Sequence, residues 1–313
     1  MTLPIPTLLA IGGAHVDRRG RLSVPFSPGA SHPGAMRETV GGGAFNAARA
    51  AAGRGVRAAL VSARGGDAAG STVAETIARA GIRDLSATFL DRTTPSYTSL
   101  LDQDGEQIVG LADMALYEAV FDRLLRRRPL RDAVRAADAI LADANLPGSA
   151  LRRLAELADG RPLHAMAVSP AKALRWTPLL ERVACLFCNR AEAVALTGLP
   201  AGAQGGELAR ALASRGLAQA VITSGGEPLV LLDNGAIRSL RPLPVRPVDV
   251  TGAGDALTGA TLAALMSGRD LHSAALEGLA AAALAMETAD SAPDLTDTTF
   301  QTRLAEARRL NTP

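Results

Sequence analysis

The chain has 313 residues, of which 48% are hydrophobic and 20% charged, and its formal net charge is +2 at pH 7. This composition is typical of a globular protein with a sizeable core, and the near-neutral charge argues against a broad nucleic-acid-binding surface. No basic N-terminal region precedes an apolar core, and no apolar run reaches the roughly 18 residues that a membrane span requires. We therefore expect a cytoplasmic protein with no nucleic-acid or membrane partner.

Short apolar runs alternate with amphipathic segments along most of the sequence. In chain order they predict strands at Thr7–Ile11, Arg57–Ser62, Ala139–Ala142, Leu163–Val168, Val183–Cys188, Ala218–Thr223 and Pro228–Leu232. They predict helices at Phe45–Ala52, Ser71–Ala80, Ser149–Leu157, Ala191–Leu196, Leu208–Arg215, Ala256–Met266 and Leu271–Thr288. Such alternation is typical of a parallel sheet covered by helices on both faces, so we predict an α/β fold.

Two stretches interrupt this alternation. Arg18–Val24 has strand character but follows the first strand directly, and Ser96–Leu101 and Glu106–Val109 flank Asp104-Gly105, a strong hairpin signal. These strands predict a lid, formed by about residues 15–40 and 86–112, inserted into a single domain over residues 1–313. Open α/β sheets bind ligands at the carboxyl ends of their strands, where a lid could cover the ligand. Exposed apolar residues on such a lid would also allow a homodimer.

Lys172 is the only lysine among the 33 lysine and arginine residues of the chain. A lysine carries a compact, mobile charge that the planar guanidinium of arginine does not reproduce. Because every other residue of this group is arginine, the retention of one lysine indicates a functional contact. Chance retention on a helix surface explains the observation equally well.

The segment Thr251-Gly252-Ala253-Gly254-Asp255 leads directly into a helix rich in alanine and leucine. Small residues allow backbone N–H groups to approach an anion closely, and the N-terminus of the following helix favours negative charge at the same place. A carboxylate at Asp255 would lie beside that anion, where a base can take a proton from an attacking hydroxyl. An ordinary tight turn with Asp255 as the N-cap residue is the structural alternative.

Five motifs in the correct order resemble those of the ribokinase-like (PfkB-type) carbohydrate kinases. They are Ile11-Gly12-Gly13-Ala14-His15-Val16-Asp17, Gly41-Gly42 with Asn46, Asn189-Arg190-Ala191-Glu192, Thr223-Ser224-Gly225-Gly226, and the segment ending at Asp255. The resemblance extends over about residues 7–295. It implies a ribokinase-like three-layer α/β/α sandwich around a mostly parallel sheet, and ATP-dependent phosphorylation of a sugar or nucleoside hydroxyl.

The same resemblance implies a role for each matching residue. Asp255 would be the catalytic base, and the amides of Gly252, Ala253 and Gly254 would hold the phosphoryl oxygens. Acceptor binding is expected at Asp17, Gly42 and Asn46, and nucleotide binding at Asn189, Thr223, Gly225, Gly226 and Thr251. Glu192 is expected to organise Mg²⁺, and Asp249 to help bind a monovalent cation such as K⁺, as in several members of the family.

Within the family, further segments resemble the pseudouridine kinases, among them Ser31-His32-Pro33-Gly34, Asp104-Gly105-Glu106 and the stretch that contains Ser96 and Thr98. The lysine at position 172 also matches that pattern. These features predict pseudouridine as the acceptor, with Ser96, Thr98 and Lys172 as contacts.

Two departures leave the acceptor open. His15 stands where these kinases usually have asparagine, and Met166-Ala167 where many have Asp-Pro. His15 is either a substrate contact or a hydrogen-bonded structural histidine. The alternatives to pseudouridine are ribose, another nucleoside or a sugar acid, and, in a different class, a catalytically silent regulator that binds a sugar or nucleoside.

Two other nucleotide-binding classes do not fit. In a dinucleotide-binding dehydrogenase the glycine loop directly follows a strand and has the spacing Gly-x-Gly-x-x-Gly. Gly41-Gly42-Gly43 meets neither condition. A P-loop, with Lys-Ser or Lys-Thr after its last glycine, is absent from the sequence.

Overall fold

A computed structural model of the chain describes residues 4–288, 295 and 298–312. The strands are β1 (Thr7–Ile11), β2 (His15–Leu22), β3 (Gly34–Gly41), β4 (Arg57–Val61), β5 (Ala63–Gly65), β6 (Arg83–Asp84), β7 (Ala87–Phe89), β8 (Ser96–Leu101), β9 (Gln107–Asp113), β10 (Ala139–Asp143), β11 (Leu163–Met166), β12 (Cys185–Asn189), β13 (Gln219–Ser224), β14 (Glu227–Asp233) and β15 (Ala236–Leu240). The helices are α1 (Gly43–Gly53), α2 (Ala68–Arg79), α3 (Ala115–Leu124), α4 (Arg128–Ala136), α5 (Gly148–Ala158), α6 (Pro170–Ala173), α7 (Arg190–Thr197), α8 (Gly205–Ala213), α9 (Ala253–Met266), α10 (Leu271–Glu287) and α11 (Thr298–Leu310), and a 3-10 helix covers Leu174–Arg182.

The main sheet has nine strands within the described residues, in the order β15-β14-β13-β12-β11-β10-β1-β4-β6. The strands from β13 to β6 pair in parallel, and β14 and β15 add an antiparallel edge. The buried side chains of a central strand alternate between the two faces. Leu9 and Ile11 pack on one side of the sheet, whereas Leu8 and Ala10 pack on the other.

Helices cover both faces and complete three layers. One face packs against α3, α4, α5, α7, α8 and the 3-10 helix, and the other against α1, α2, α9, α10 and α11. The fold is therefore α/β, as the alternation of apolar runs predicts. Among the described helices, none combines the length and the apolar character that crossing a membrane would require.

A second, four-stranded sheet has the order β3-β2-β8-β9 and is called the small sheet below. Its strand β2 begins right after the turn that ends β1, three residues earlier than the predicted Arg18–Val24, because it pairs along its whole length with β3 and over most of it with β8. The hairpin at Asp104-Gly105 joins β8 and β9. Residues 87–89, within the predicted lid range, instead pair with β5 in a separate two-stranded sheet.

Helices α1 and α9 approach each other very closely on one face of the main sheet. A Cβ atom at Gly259 would lie 2.2 Å from the carbonyl oxygen of Ala47, so only glycine allows this approach. The contact aligns the first turns of the two helices. As a result, Asn46 of α1 and Asp255 of α9 meet despite their separation of 209 residues in the sequence.

Candidate active site

A cavity of about 630 Å³ lies between the carboxyl ends of the parallel strands and the small sheet. Eleven of the residues predicted to form the site line it, from both the acceptor and the nucleotide groups. They are His15, Asp17, Gly42, Asn46, Lys172, Asn189, Glu192, Thr223, Thr251, Gly254 and Asp255. The structure thus brings together residues from both ends of the chain.

Asp255 lies in the first turn of α9, at the wall of the cavity. The N-cap of this helix is Gly252, which has the left-handed φ of 78° that glycine adopts without strain. The carboxylate of Asp255 is therefore not used as a cap, and its Oδ2 accepts a hydrogen bond of 2.9 Å from Asn46 Nδ2. Burial raises the pKa of Asp255 to about 7, and the nearby carboxylates of Asp143 and Asp17 also raise it, whereas the Asn46 hydrogen bond lowers it. A carboxylate with this pKa is suited to accept a proton near neutral pH.

Gly254 presents open space on its cavity side. A Cβ atom built there meets no atom of the described residues within 4 Å, and the residue lines the cavity. Gly252 and Ala253 lie in the same turn but are not among the lining residues. An anion could thus approach the backbone at Gly254 without displacing a side chain.

Asp143 is a buried carboxylate that belongs to none of the sequence motifs. Its Oδ2 accepts hydrogen bonds from the backbone nitrogens of Gly13 (2.8 Å) and Ala44 (3.1 Å), and Asn145 donates to both of its oxygens. It therefore joins the turn after β1 to the start of α1, which carry His15 and Asn46. The available signal was an acidic residue directly after the buried strand predicted at Ala139–Ala142.

His15 is buried between two partners at the cavity wall. Its Nε2 lies 3.3 Å from Asp17 Oδ1, and its Nδ1 lies 3.4 Å from the hydroxyl of Tyr117. That hydroxyl donates to the carbonyl of Ala14 and accepts from its N–H, both at 3.0 Å. His15 is thus held by hydrogen bonds and also lines the cavity, so the two interpretations left open by the sequence are compatible.

Lys172 reaches into the cavity from α6 and does not lie on an open helix surface. Its Nζ donates a hydrogen bond of 2.6 Å to Asn145 Oδ1, and burial lowers its pKa. Asn145 in turn binds Asp143, so a polar chain runs from Lys172 to the turn after β1. This chain fixes the ammonium group at one wall of the cavity.

Val168, next to this polar chain, has a strained backbone. Its φ is 68°, a conformation that β-branched residues rarely adopt, and the N–H of Ser169 donates to the carbonyl of Ala167 in a three-residue turn. The side chain lines the cavity and is 40% exposed. Backbone strain of this kind is concentrated at functional sites.

Asn189 and Glu192 begin helix α7 with a reciprocal cap. Asn189 Oδ1 accepts from the Glu192 N–H at 2.9 Å, and Glu192 Oε2 accepts from the Asn189 N–H at 2.8 Å. Burial raises the pKa of Glu192, which also lines the cavity. The described residues contain no group of three or more His, Cys, Asp or Glu side chains that could hold a metal. Glu192 fits a Mg²⁺ that takes most of its oxygen ligands from water and phosphate.

Asp249 and Thr251 precede α9 and contact an arginine from the small sheet. Arg19 Nη1 lies 2.6 Å from Asp249 Oδ2, and the second terminal nitrogen of Arg19 donates to Thr251 Oγ1. Asp249 itself is not among the lining residues of the cavity. The sequence around Arg19 gives no sign of this contact, because nothing in the local pattern connects Arg19 with a segment 230 residues away.

Four further predicted residues lie outside the cavity lining. Ser96 and Thr98 are on the face of the small sheet opposite to Tyr97, since side chains alternate along a strand and Tyr97 lines the cavity. Ser96 and Thr98 therefore do not line the cavity, whereas Tyr97, between them in the strand, does. Gly225 and Gly226 form the turn between β13 and β14, also away from the lining residues.

Comparison with known proteins accounts for this arrangement. Residues 7–298 match the model of the pfkB family carbohydrate kinases. The chain belongs to the pfkB family. This pfkB kinase is 28% identical over 311 residues to the pseudouridine kinase of Escherichia coli strain K12, with 97% of this chain and 98% of the relative covered.

Solved structures agree with the family assignment. A carbohydrate kinase from Agrobacterium tumefaciens is 40% identical, with a TM-score of 0.84 and coverage of 96% of this chain and 97% of that one. A ribokinase from Arabidopsis thaliana, complexed with ribose and ATP, is 22% identical, with a TM-score of 0.82 and coverage of 96% and 99%, and shares the fold. The pfkB chain is thus an ATP-dependent sugar or nucleoside kinase with a ribokinase-like fold.

Proposed function

We propose that this kinase phosphorylates pseudouridine to pseudouridine 5′-phosphate with ATP as the donor. The observation that carries the proposal is the similarity to a pseudouridine kinase over nearly the whole of both chains. The cavity supports it, because Lys172 and Asn145 form a fixed polar wall of the kind that can bind the carbonyl groups of a base. Val168 offers an apolar surface beside that wall.

In the proposed reaction, Asp255 accepts the proton of the acceptor hydroxyl while the hydroxyl oxygen bonds to the γ-phosphorus of ATP and ADP leaves. Asn46 holds the carboxylate in place through its 2.9 Å hydrogen bond. The amides of the turn at Gly252–Gly254 would bind the phosphoryl oxygens as negative charge develops. A bound Mg²⁺ would neutralise phosphate charge, and Glu192 and Asn189, with Thr223 nearby, are the residues we propose to position it and the nucleotide.

The acceptor end of the cavity is proposed to bind the ribose. Asp17 and Asn46 supply a carboxylate and an amide, and Gly42 lines the cavity with them. His15 would help to hold the Asp17 carboxylate in place through its contact of 3.3 Å. These groups are suited to sugar hydroxyls, which both donate and accept hydrogen bonds.

We further propose that the small sheet is the lid of a single kinase domain. Asp17, Tyr97 and Ala112 on its inner face line the cavity. Its outer face exposes Met36, which is 55% exposed, and Leu111, which is 67% exposed. These apolar side chains would be buried if two copies of the chain paired through their lids.

Two alternatives remain as proposals of lower rank. Another acceptor, such as ribose, would use the same reaction, since no step of the mechanism requires that the acceptor carry a nucleobase. A catalytically silent binding protein is disfavoured because Asp255 and Glu192 both line the cavity, and burial raises the pKa of each. Such buried carboxylates lower the stability of the fold, and a protein that only binds would not need them.

The experiment is an ATP-consumption assay with pseudouridine, uridine, adenosine and ribose, in which Asp255→Asn serves as the inactive control. We expect the largest kcat/KM with pseudouridine. A larger kcat/KM with uridine or ribose would contradict the proposed acceptor but not the kinase assignment. Failure of all four acceptors would direct the search to sugar acids and other nucleosides.

A further inference from the structure

Arg19 connects the small sheet to the turn that precedes α9. It lies two residues after Asp17 in β2, and therefore on the same, cavity-facing side of the strand. Its guanidinium binds the carboxylate of Asp249 at 2.6 Å and the hydroxyl of Thr251. One cationic group thus contacts two of the three residues that precede Gly252.

The carboxylate of Asp249 is engaged at both oxygens. Oδ1 accepts the N–H of Thr251 at 2.8 Å, and Oδ2 accepts the hydrogen bond from Arg19. Burial by itself would raise the pKa of Asp249, but the hydrogen bonds from Thr251 and Arg19 and the charge of Arg19 hold it below its ordinary value. Asp249 is therefore an anion whose charge is balanced by a guanidinium from within the same chain.

This arrangement does not fit the monovalent cation that the family resemblance assigns to Asp249. A cation needs oxygen ligands with free lone pairs and no positive charge beside them. At Asp249 the positive charge is already present at hydrogen-bonding distance, and a second cation would be repelled by it. The residues present thus replace the ion instead of binding it.

We propose that the guanidinium of Arg19 takes the place of the monovalent cation, so that turnover of this kinase requires no such ion. Arg19 neutralises Asp249 and, through Thr251, fixes the turn whose amides face the phosphoryl group. It is a positioning residue, because it acts through the turn and does not line the cavity.

The proposal rests on the kinase assignment and not on the identity of the acceptor. The first test measures kcat/KM with K⁺, Na⁺ or tetramethylammonium at equal ionic strength. We expect the three values for the wild-type enzyme to agree within about twofold, because ionic strength alone affects surface charges equally. Activation of the wild type by K⁺ of about tenfold or more, relative to tetramethylammonium, would overturn the proposal.

Arg19→Gln removes the positive charge and keeps a polar side chain. In tetramethylammonium we expect it to lose about tenfold or more in kcat/KM, and K⁺ should restore much of the loss. Arg18→Gln is the matched control, because Arg18 is adjacent on the opposite face and pairs with Glu38 at 2.8 Å. It should behave as the wild type does in all three salts. A loss in Arg19→Gln that no cation repairs would show a structural role only and contradict the replacement of the ion.

Thermal unfolding gives a readout that needs no acceptor. K⁺ in place of tetramethylammonium should raise the Tm of Arg19→Gln and leave the Tm of the wild type and Arg18→Gln unchanged. Arg19→Lys, which keeps a positive charge, covers the case in which the glutamine variant does not fold, and its Tm should not respond to K⁺. A K⁺-dependent Tm in the wild type or in Arg19→Lys would contradict the proposal even if the acceptor were unknown.

Discussion

Asp255 shows a conflict between stability and chemistry at the scale of a single residue. Burial raises its pKa to about 7, whereas the unfolded chain ionises it near 3.8. Between these two values the unfolded state loses the proton before the folded state does, so folding becomes less favourable as the pH rises. The penalty is complete above about pH 7 and absent below the unfolded pKa.

Asp255→Asn should therefore be more stable than the wild type at neutral and basic pH. The full shift of the Asp255 pKa corresponds to about 4 kcal/mol of folding free energy. Because Asp255 lines a cavity that is open to solvent, we expect a smaller gain of about 1–3 kcal/mol at pH 8. Denaturant unfolding at pH 8 and at pH 4 measures the difference between the two proteins. An equal difference at both pH values would contradict the raised pKa.

Val168 is a second residue at which the needs of the site lower the stability of the fold, here through backbone strain. Its left-handed backbone costs about 1–3 kcal/mol for a β-branched side chain, and little apolar area is lost when a half-exposed valine is removed. In Val168→Gly the strain is relieved, but the larger entropy of glycine in the unfolded chain offsets part of the gain. We therefore expect the variant to be as stable as the wild type or more stable by up to about 1 kcal/mol. The KM for the acceptor should rise while the KM for ATP stays constant. A clear drop in Tm would show that Val168 is a packing residue.

At the scale of elements, the sequence predicts the buried parallel strands well and misses some exposed strands and distant contacts. The buried strands β1, β10 and β13 begin and end within two residues of the predicted runs, because their apolar residues face the core on both sides. Strand β3 was missed because the residues from Gly34 to Thr39 are exposed and show no apolar alternation. In the site, the five motifs name ten of the 25 residues that line the cavity, but the role of Arg19 depends on a contact across 230 residues.

The close approach of α1 and α9 is the contact between elements on which Asp255 depends. Gly259→Ala places a methyl group 2.2 Å from the carbonyl oxygen of Ala47, so the helices must separate and Asn46 must move away from Asp255. We expect a loss of about 1–3 kcal/mol in stability, as for other overpacked sites, together with a lower kcat.

Gly206→Ala is the matched control for this helical glycine. The nearest atom to its Cβ is the end of the flexible Arg210 side chain at 3.9 Å, so alanine should be neutral or stabilise the protein by about 0.5–1 kcal/mol. Denaturant unfolding and turnover are measured for both variants. Comparing them separates the effect of the close approach of α1 and α9 from the effect of the higher helix propensity of alanine. Equal behaviour of Gly259→Ala and Gly206→Ala would contradict the role of the close approach.

At the scale of the whole molecule, a buried histidine in the core of the main sheet affects the response to acid. His164 in β11 is buried, its Nδ1 has no hydrogen-bond partner among the described residues, and burial lowers its pKa to about 4. The unfolded chain takes up a proton near pH 6.5, so stability is lost as the pH falls from there towards about 4. We expect the loss due to His164 to reach about 2 kcal/mol at pH 5.

His164→Leu removes this contribution. The free energy of unfolding of the variant, relative to the wild type, should increase by about 2 kcal/mol between pH 7 and pH 5. Urea unfolding of both proteins at the two pH values measures the change. A relative stability that does not change with pH would mean that His164 stays neutral in both states or gains a partner in acid.

We propose above that Asp255, where α1 and α9 meet at the cavity, is the base of a phosphoryl transfer. The most direct measurement is the pH dependence of kcat/KM for the wild type and Asp255→Asn with the acceptor of highest activity. In the wild type, kcat/KM should rise with pH and level off above an apparent pKa of about 7, because only the ionised carboxylate accepts the proton. Asp255→Asn should bind ATP, remain folded and lose about 10²–10⁴ in turnover above pH 7, where the wild-type carboxylate is ionised. Turnover near the wild-type level in the folded variant, or a wild-type profile that is flat between pH 5.5 and 8, would contradict the account.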